Sequence, residues 1–267
     1  MKNKVIVITG ASSGIGRALA KEFALKGASL SLGARRLELL EELQAELKGT
    51  EILIHKTDVS IETDCRHFIE ETIKRFGRID ILINNAGISM RAIFEEVDLQ
   101  VIKHLMDVNF YGTVYCSKYA LPYLLKTKGS LVGVISIAGY VGLPGRSGYS
   151  ASKFAVRGFL DTVRIENIKN GLHVLVAAPG FTSSEIRKAA LTNNGLQQGE
   201  TPRNENNMMS SEECARQIVK AIIKRKRKLI LTFTEGKLTV FVNKFFPFLL
   251  DKITYRHMAK EPNSPLK

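Results

Sequence analysis

Val5-Ile6-Val7-Ile8-Thr9-Gly10-Ala11-Ser12-Ser13-Gly14-Ile15-Gly16 is the stretch on which the fold turns. Four β-branched residues in a row read as a buried strand. A glycine-rich turn follows, and then apolar residues at Ile15, Leu19, Phe23 and Ala24 recur at helical spacing. Strand, glycine turn and helix in that order make a phosphate-binding unit. The glycines permit a tight turn and close backbone approach, and the helix start offers N–H groups and a positive dipole end to a pyrophosphate. The spacing is G-x-x-x-G-x-G and not the commoner G-x-G-x-x-G, so the inference rests on where the glycines stand. A nucleotide is expected on Gly10, Ser12, Ser13, Gly14, Ile15 and Gly16.

Working outward, strands and helices alternate. A second strand, Ser29 to Ala34, runs into Arg35-Arg36 and a helix from Leu37 to about Leu47. An acidic residue at this strand end holds ribose hydroxyls in dinucleotide folds, whereas arginine accommodates a 2′-phosphate. The acid is missing, so NADP(H) is expected, with Arg35 as the main phosphate contact and Arg36 beside it. The third strand, Ile52 to Thr57, ends at Asp58-Val59. Asp58 either reaches the adenine amino group or caps the helix over Ile61 to Phe76. Ile79 to Ile83 leads to Asn84-Asn85-Ala86-Gly87, where small residues allow cofactor approach and at least one amide braces the sheet. Leu99 to Lys126 is helical in pattern, with Asn109 near its middle. Asn is a poor helix-interior residue, which points to a local break or a buried polar role. Leu131 to Ile135 ends at Ser136, and Leu172 to Ala178 ends at Pro179-Gly180. Such alternation implies an α/β fold, a Rossmann-type doubly wound parallel sheet in a single domain.

Tyr149 and Lys153 stand at i and i+4 on the helix after the Gly/Pro-rich loop, so they share a face. A cation beside a phenol favours the phenolate; at ~4 Å and an effective dielectric of ~20 the attraction is roughly 4 kcal/mol before desolvation. The pair is expected to bring Tyr149 towards the working range of a general acid or base.

The chain has 267 residues, enough for one large domain. Cys65, Cys116 and Cys214 are dispersed without metal spacing and read as reduced, buried thiols of a cytoplasmic protein; the scattered histidines suggest no metal site. A first strand at Lys4 or Val5 leaves no room for a signal peptide, and no uncharged apolar run reaches the ~18 residues of a membrane span. Of the net charge of +13, the segment from Cys214 to Lys267 carries +10, with 13 Lys or Arg against 3 Asp or Glu. No recognition motif accompanies that charge, so nucleic acid is not expected as a partner. Residues 1–234 are expected to form the dinucleotide domain, with a polar substrate lid over 181–210. The extension 235–267 mixes lysines with Phe241, Phe245, Phe246 and Phe248. It is expected to pack on its own domain, on a partner subunit or peripherally on an anionic membrane. Pro247 should end or kink any helix there.

Taken together, T-G-A-S-S-G-I-G, Asp58-Val59, N-N-A-G, Asn109, Ser136, Y-S-A-S-K and Pro179-Gly180 resemble the short-chain dehydrogenase/reductase family, in family order and spacing over nearly all of residues 4–233. The resemblance implies a catalytic tetrad of Asn109, Ser136, Tyr149 and Lys153. It implies cofactor contacts from Asn85, Ala86, Gly87, Tyr149, Lys153, Pro179, Gly180 and Thr182, with Phe181-Thr182-Ser183-Ser184 standing where relatives carry a Val-containing segment. Hydride would pass between NADP(H) and a carbonyl/alcohol pair, the substrate being a small molecule of lipophilic type. Tyr149 would move the proton, Ser136 would bind the substrate oxygen, Lys153 would hold the nicotinamide ribose, and Asn109 would support a water-borne proton relay. A homodimer or homotetramer is the expected assembly. The competing class is a catalytically silent NADP(H)-binding sensor or scaffold, which would need neither Ser136 nor Tyr149.

Overall fold

A computed structural model gives the fold and describes residues 1–183, 185–199, 201, 208–261 and 264–266. Its strands are β1 Val5–Thr9, β2 Ser29–Ala34, β3 Ile52–Lys56, β4 Ile81–Asn84, β5 Ser130–Val134, β6 His173–Ala178 and β7 Lys228–Ile230. They form one seven-stranded sheet in the order β3-β2-β1-β4-β5-β6-β7, with every pairing parallel. The chain steps outward from β1 to β3, then returns to build the other half from β4. Between β1 and β4 the winding reverses, and beyond the carboxyl ends of those strands a crevice opens.

The helices are α1 Gly14–Ala24, α2 Leu37–Glu46, α3 Glu62–Phe76, α4 Leu99–Leu105, α5 Gly112–Thr127, α6 Ser147–Glu166, α7 Ser211–Ile223, α8 Thr239–Phe245 and α9 Pro247–Ala259. Successive residues of β1 feed opposite cores: Ile6 and Ile8 meet Leu19, Phe23 and Ile218 on one face, while Val7 meets Phe68, Leu124 and Leu160 on the other. A strand covered on both sides has no polar face, which is why its sequence is a continuous apolar run.

The helical stretch around Asn109 is broken as its composition suggests. Met106–Tyr111 forms a π turn between α4 and α5, the kind of widened turn found at functional sites. Pro247 ends α8 and opens α9 from its first position, where a missing N–H costs nothing.

Part of the extension lies against the domain. Val240, Val242 and Leu250 pack on the α3/α5/α6 core, Asn243 Nδ2 donates to Tyr140 O at 3.1 Å, and Arg91 pairs with Glu261 at 3.4 Å. The expected lid is seated on residues 89–98: Leu191 N donates to Ser89 O at 2.9 Å, and Arg91 N donates to Leu191 O at 2.8 Å. Residues 184, 200 and 202–207 of the expected lid lie outside the described residues.

Candidate active site

A cavity of about 550 Å³ sits over the crevice and is lined from the glycine turn to Tyr149 and Lys153. Its nucleotide half is built by close backbone approach. Gly10 and Gly14 hold φ +66° and +52°, a left-handed region that favours glycine. A Cβ at Gly16 would fall on Gly10 O and Asn85 Nδ2. Asn85 Nδ2 donates to Thr9 O at 3.0 Å and Gly10 O at 3.1 Å, while Thr9 Oγ1 accepts from Asn85 N at 3.0 Å and Ala86 N at 3.1 Å. The Asn85 side chain therefore braces the turn, and Asn84 Nδ2 donates to Ser117 Oγ at 3.0 Å.

At the end of β2 the two arginines separate. Arg36 Nη2 donates to Ser13 Oγ at 2.9 Å and Ser12 Oγ at 3.3 Å, placing its guanidinium over the glycine turn. Arg35 and Arg36 both line the cavity and both are exposed. The guanidinium hydrogen-bonded to the serines of the glycine turn is that of Arg36, whereas the sequence singles out Arg35 as the main phosphate contact. Asp58 does not cap α3. Its Oδ1 accepts from Ser60 N at 3.0 Å and Ser60 Oγ at 2.7 Å, a local Asx turn at the cavity edge. Val59 packs under Gly112, where a Cβ would come within 2.8 Å of it.

The other half assembles Asn109, Ser136, Tyr149 and Lys153. Ser136 follows β5, its Oγ accepting from Ala138 N at 3.2 Å, and its hydroxyl acts to lower the pKa of the Tyr149 phenol. The first turn of α6 carries Tyr149, and Lys153 follows one turn later, its Nζ 5.8 Å from the Tyr149 ring centroid. Lys153 Nζ donates to Val134 O at 3.2 Å. Asn109 is fixed on three sides: its Oδ1 accepts from Ile88 N at 2.8 Å, and Nδ2 donates to Ile88 O at 3.0 Å and Ser152 Oγ at 2.9 Å. Gly87 fits only because it lacks a side chain, since a Cβ would lie 3.0 Å from Asn109 Oδ1 and 3.2 Å from Lys153 Nζ. Pro179, Gly180 and Thr182 close the cavity floor.

The electrostatics differ from the sequence expectation. Burial pushes the Tyr149 phenol above its usual value, and the Ser136 hydroxyl, Arg146 and Arg187 only partly offset that. Burial also lowers the Lys153 ammonium to about 8. Desolvation outweighs the attraction inferred from i, i+4 spacing because the ammonium is itself buried and turned to Val134 O and the ring face. Tyr149 consequently holds its proton at neutral pH. Arg146 and Arg187, both 6% exposed, were not singled out from sequence. Arg146 sits in a Gly/Pro-rich loop three residues before Tyr149, and Arg187 in a polar stretch whose composition hides it. No cluster of three metal-ligating residues occurs among the described residues.

The short chain dehydrogenase family model matches residues 4–195. The chain belongs to the short-chain dehydrogenase family. The chain is 44% identical over 187 residues to 11-beta-hydroxysteroid dehydrogenase-like 2 of Arabidopsis thaliana, a match covering 68% of the chain and 60% of that relative's length. It is 34% identical to dehydrogenase/reductase SDR family protein 7-like of Dictyostelium discoideum, over 96% of the chain and 82% of the relative. Its fold superimposes on an alcohol dehydrogenase of the archaeon Thermococcus sibiricus, complexed with 5-hydroxy-NADP, with TM-score 0.75 and 29% identity over 85% of this chain and 93% of that one.

Proposed function

We propose that this short-chain dehydrogenase interconverts a carbonyl and an alcohol with NADP(H), Tyr149 serving as proton donor or acceptor. The observation that carries the reading is the meeting of Ser136, Tyr149 and Lys153 with the glycine turn in one cavity. The residues present suit the cofactor: a glycine turn packed tightly at Gly10 and Gly16 at the start of α1, whose N–H groups suit a pyrophosphate, and Arg36 beside Ser12 and Ser13 for an extra phosphate. When bound, NADP(H) supplies or takes up the hydride. Ser136 donates to the substrate oxygen and stabilises its developing charge. Tyr149, protonated at neutral pH, delivers the proton in the reducing direction. Lys153 would hold a ribose hydroxyl, and Asn109, locked by Ile88 and Ser152, would support a proton path to Lys153. The complex of the archaeal neighbour with 5-hydroxy-NADP supports the phosphorylated nucleotide, and the plant relative's name supports a lipophilic carbonyl. The test is a panel of carbonyl compounds followed at the NADPH absorbance, with the Tyr149→Phe protein as control. Loss of NADPH in neither protein, or equally in both, overturns the reading.

Cofactor choice follows from one charge. Arg36→Asp is expected to raise the Kd of NADPH by about 10–100-fold while changing NADH by less than about threefold, since a charge-assisted hydrogen bond is worth roughly 1.5–3 kcal/mol. Titration of both nucleotides by fluorescence checks it; an effect at Arg35→Asp and none at Arg36→Asp would return the role to Arg35.

The extension supports a peripheral membrane contact. Phe241, Phe245, Phe246, Phe248, Leu249 and Ile253 are all more than half exposed, with Lys244 and Lys252 over the Phe245 and Phe248 rings. Apolar side chains set among lysines suit an anionic bilayer surface. Among the described residues no helix is long and apolar enough to cross a membrane. The protein is expected to sediment with anionic vesicles and not with neutral ones, and Phe245→Ser/Phe248→Ser is expected to abolish sedimentation. Failure of the unaltered protein to sediment, with an oligomer that falls apart on the double substitution, would assign this face to a second copy of the chain.

A further inference from the structure

We propose that Arg157, Arg227, Lys228 and Lys244 form a headgroup site beside the aromatic face of α8, taking a membrane lipid whose headgroup ends in a phosphate monoester. The proposal rests on the membrane contact read from the extension above and names its lipid.

The cluster is gathered around one ring from α6, the start of β7 and α8. Tyr140, 7% exposed, follows the short turn after Ser136. The Arg157 guanidinium lies 4.0 Å from its ring centroid, and the Lys228 ammonium lies 4.9 Å from it. Asn243 Nδ2 ties α8 to the same residue by donating to Tyr140 O, and Lys244 is the next residue along. Arg227 Nη2 reaches Asp161 Oδ1 at 3.5 Å, and Arg157 Nε is 3.9 Å from the other oxygen of that carboxylate.

The two arginines have a place in the fold. Arg157 Nη1 donates to Gly139 O at 3.3 Å, and both arginines share Asp161, on which Arg164 also converges at 3.5 Å. The two lysines have no such place. Among the described residues neither ammonium makes a hydrogen bond or an ion pair; Lys228 faces the Tyr140 ring and Lys244 the Phe245 ring. Burial, and then the charges of Arg157, Arg227 and Lys244, push the Lys228 ammonium below its usual value, and Asp161 offsets only part of that. Cations are crowded here with one carboxylate among them, a repulsion that a bound anion turns into attraction.

The size of that charge selects the anion. A phosphate monoester carries about −1.5 to −2 at pH 7 and offers three acceptor oxygens, enough to answer two ammoniums and a guanidinium already fixed on a ring. A lipid is indicated, and not a free phosphate, by what adjoins the cluster. The Phe241 and Phe245 rings are 4.9 Å apart and more than half exposed, on the helix that carries Lys244. A headgroup held by the cations therefore has an apolar wedge beside it for the acyl region.

The experiment uses the full-length protein and phosphatidylcholine vesicles brought to equal surface charge with either phosphatidic acid or phosphatidylserine. Sedimentation is expected to give an apparent Kd about fivefold or more lower for phosphatidic acid. Lys228→Gln/Lys244→Gln is expected to erase that preference while some binding to both vesicles remains. Lys26→Gln/Lys48→Gln, the same loss of charge at exposed positions after α1 and α2, is expected to weaken both alike and keep the preference. Equal binding of the two vesicles by the unaltered protein sinks the site and leaves the membrane contact standing; sedimentation with neither sinks both. Equal effects of the two lysine pairs also overturn the site, since net charge alone would then explain binding. Glycerol 3-phosphate, added to the protein saturated with NADPH, separates lipid from soluble phosphate. A rise in Tm that Lys228→Gln/Lys244→Gln abolishes, without any vesicle preference, gives the site to a soluble phosphate and overturns the lipid.

Discussion

Tyr149→Phe is expected to lower kcat by about 10³-fold or more while leaving the Kd of NADPH within about threefold. General acid–base catalysis by a positioned side chain contributes roughly 10²–10⁴-fold, and the phenol is the acid in reach of Ser136. The substitution removes one oxygen from a side chain that is 8% exposed, so the ring still packs against Met90, Leu105 and Ala138. Because burial holds the phenol above its usual value, reduction by the unaltered enzyme should persist into alkaline solution. Steady-state rates with fluorescence titration check both halves. Substantial residual turnover in the variant would remove Tyr149 from the proton path.

Lys153→Met is expected to cost activity and add stability at once. The ammonium is lowered from 10.5 to about 8 by burial alone. A group whose charged form is disfavoured in the folded state destabilises the protein fully below its folded value. That penalty is relieved as pH rises from about 8 towards 10.5. The displacement corresponds to roughly 3 kcal/mol, about 1 of which is returned by the hydrogen bond to Val134 O. Without added nucleotide, Lys153→Met should therefore be more stable at pH 7 by about 2 kcal/mol, an advantage that fades above pH 8. The same protein should bind NADPH more weakly and turn over at least about 100-fold more slowly, as expected for a side chain that assists the proton donor. Thermal melts at pH 7 and 10 with matched kinetics check this; a less stable variant at pH 7 would mean the ammonium's contacts outweigh its burial.

The strands and their ends were readable because a buried parallel strand leaves a continuous apolar run and glycine marks the turn after it. Ser29–Ala34 is found with the bounds expected of it, and β3 stops one residue short of the expected Thr57. Helix starts were less readable. Of the two roles open to Asp58, the cap is not the one found: α3 begins four residues later, beyond the Ser60 turn. Neighbouring residues at a strand end point to different sides, so sequence order could not say which of Arg35 and Arg36 crosses the serines. The Tyr149–Lys153 spacing showed that the two share a helix face but was silent on burial, and burial decides the sign of the Tyr149 displacement. Arg146 and Arg187 are 41 residues apart in sequence and line the same cavity only because the loop before α6 and the stretch after β6 both fold over the crevice.

The π turn at Met106–Tyr111 has a bearing on how this gene can drift. Buried side chains of the long stretch fall at Val101, Leu105, Val108, Asn109, Thr113, Cys116, Ser117, Ala120 and Leu124, at the three- and four-residue spacings of one helix face. The widened turn holds Val108 and Asn109 inward together. Substitutions on the outer face should pass unnoticed, but loss or gain of one codon would either iron out the turn or double it. A change of length that the turn did not absorb would rotate everything downstream by about 100°. Length in this stretch is the inherited quantity, in contrast to surface loops, where length is what varies.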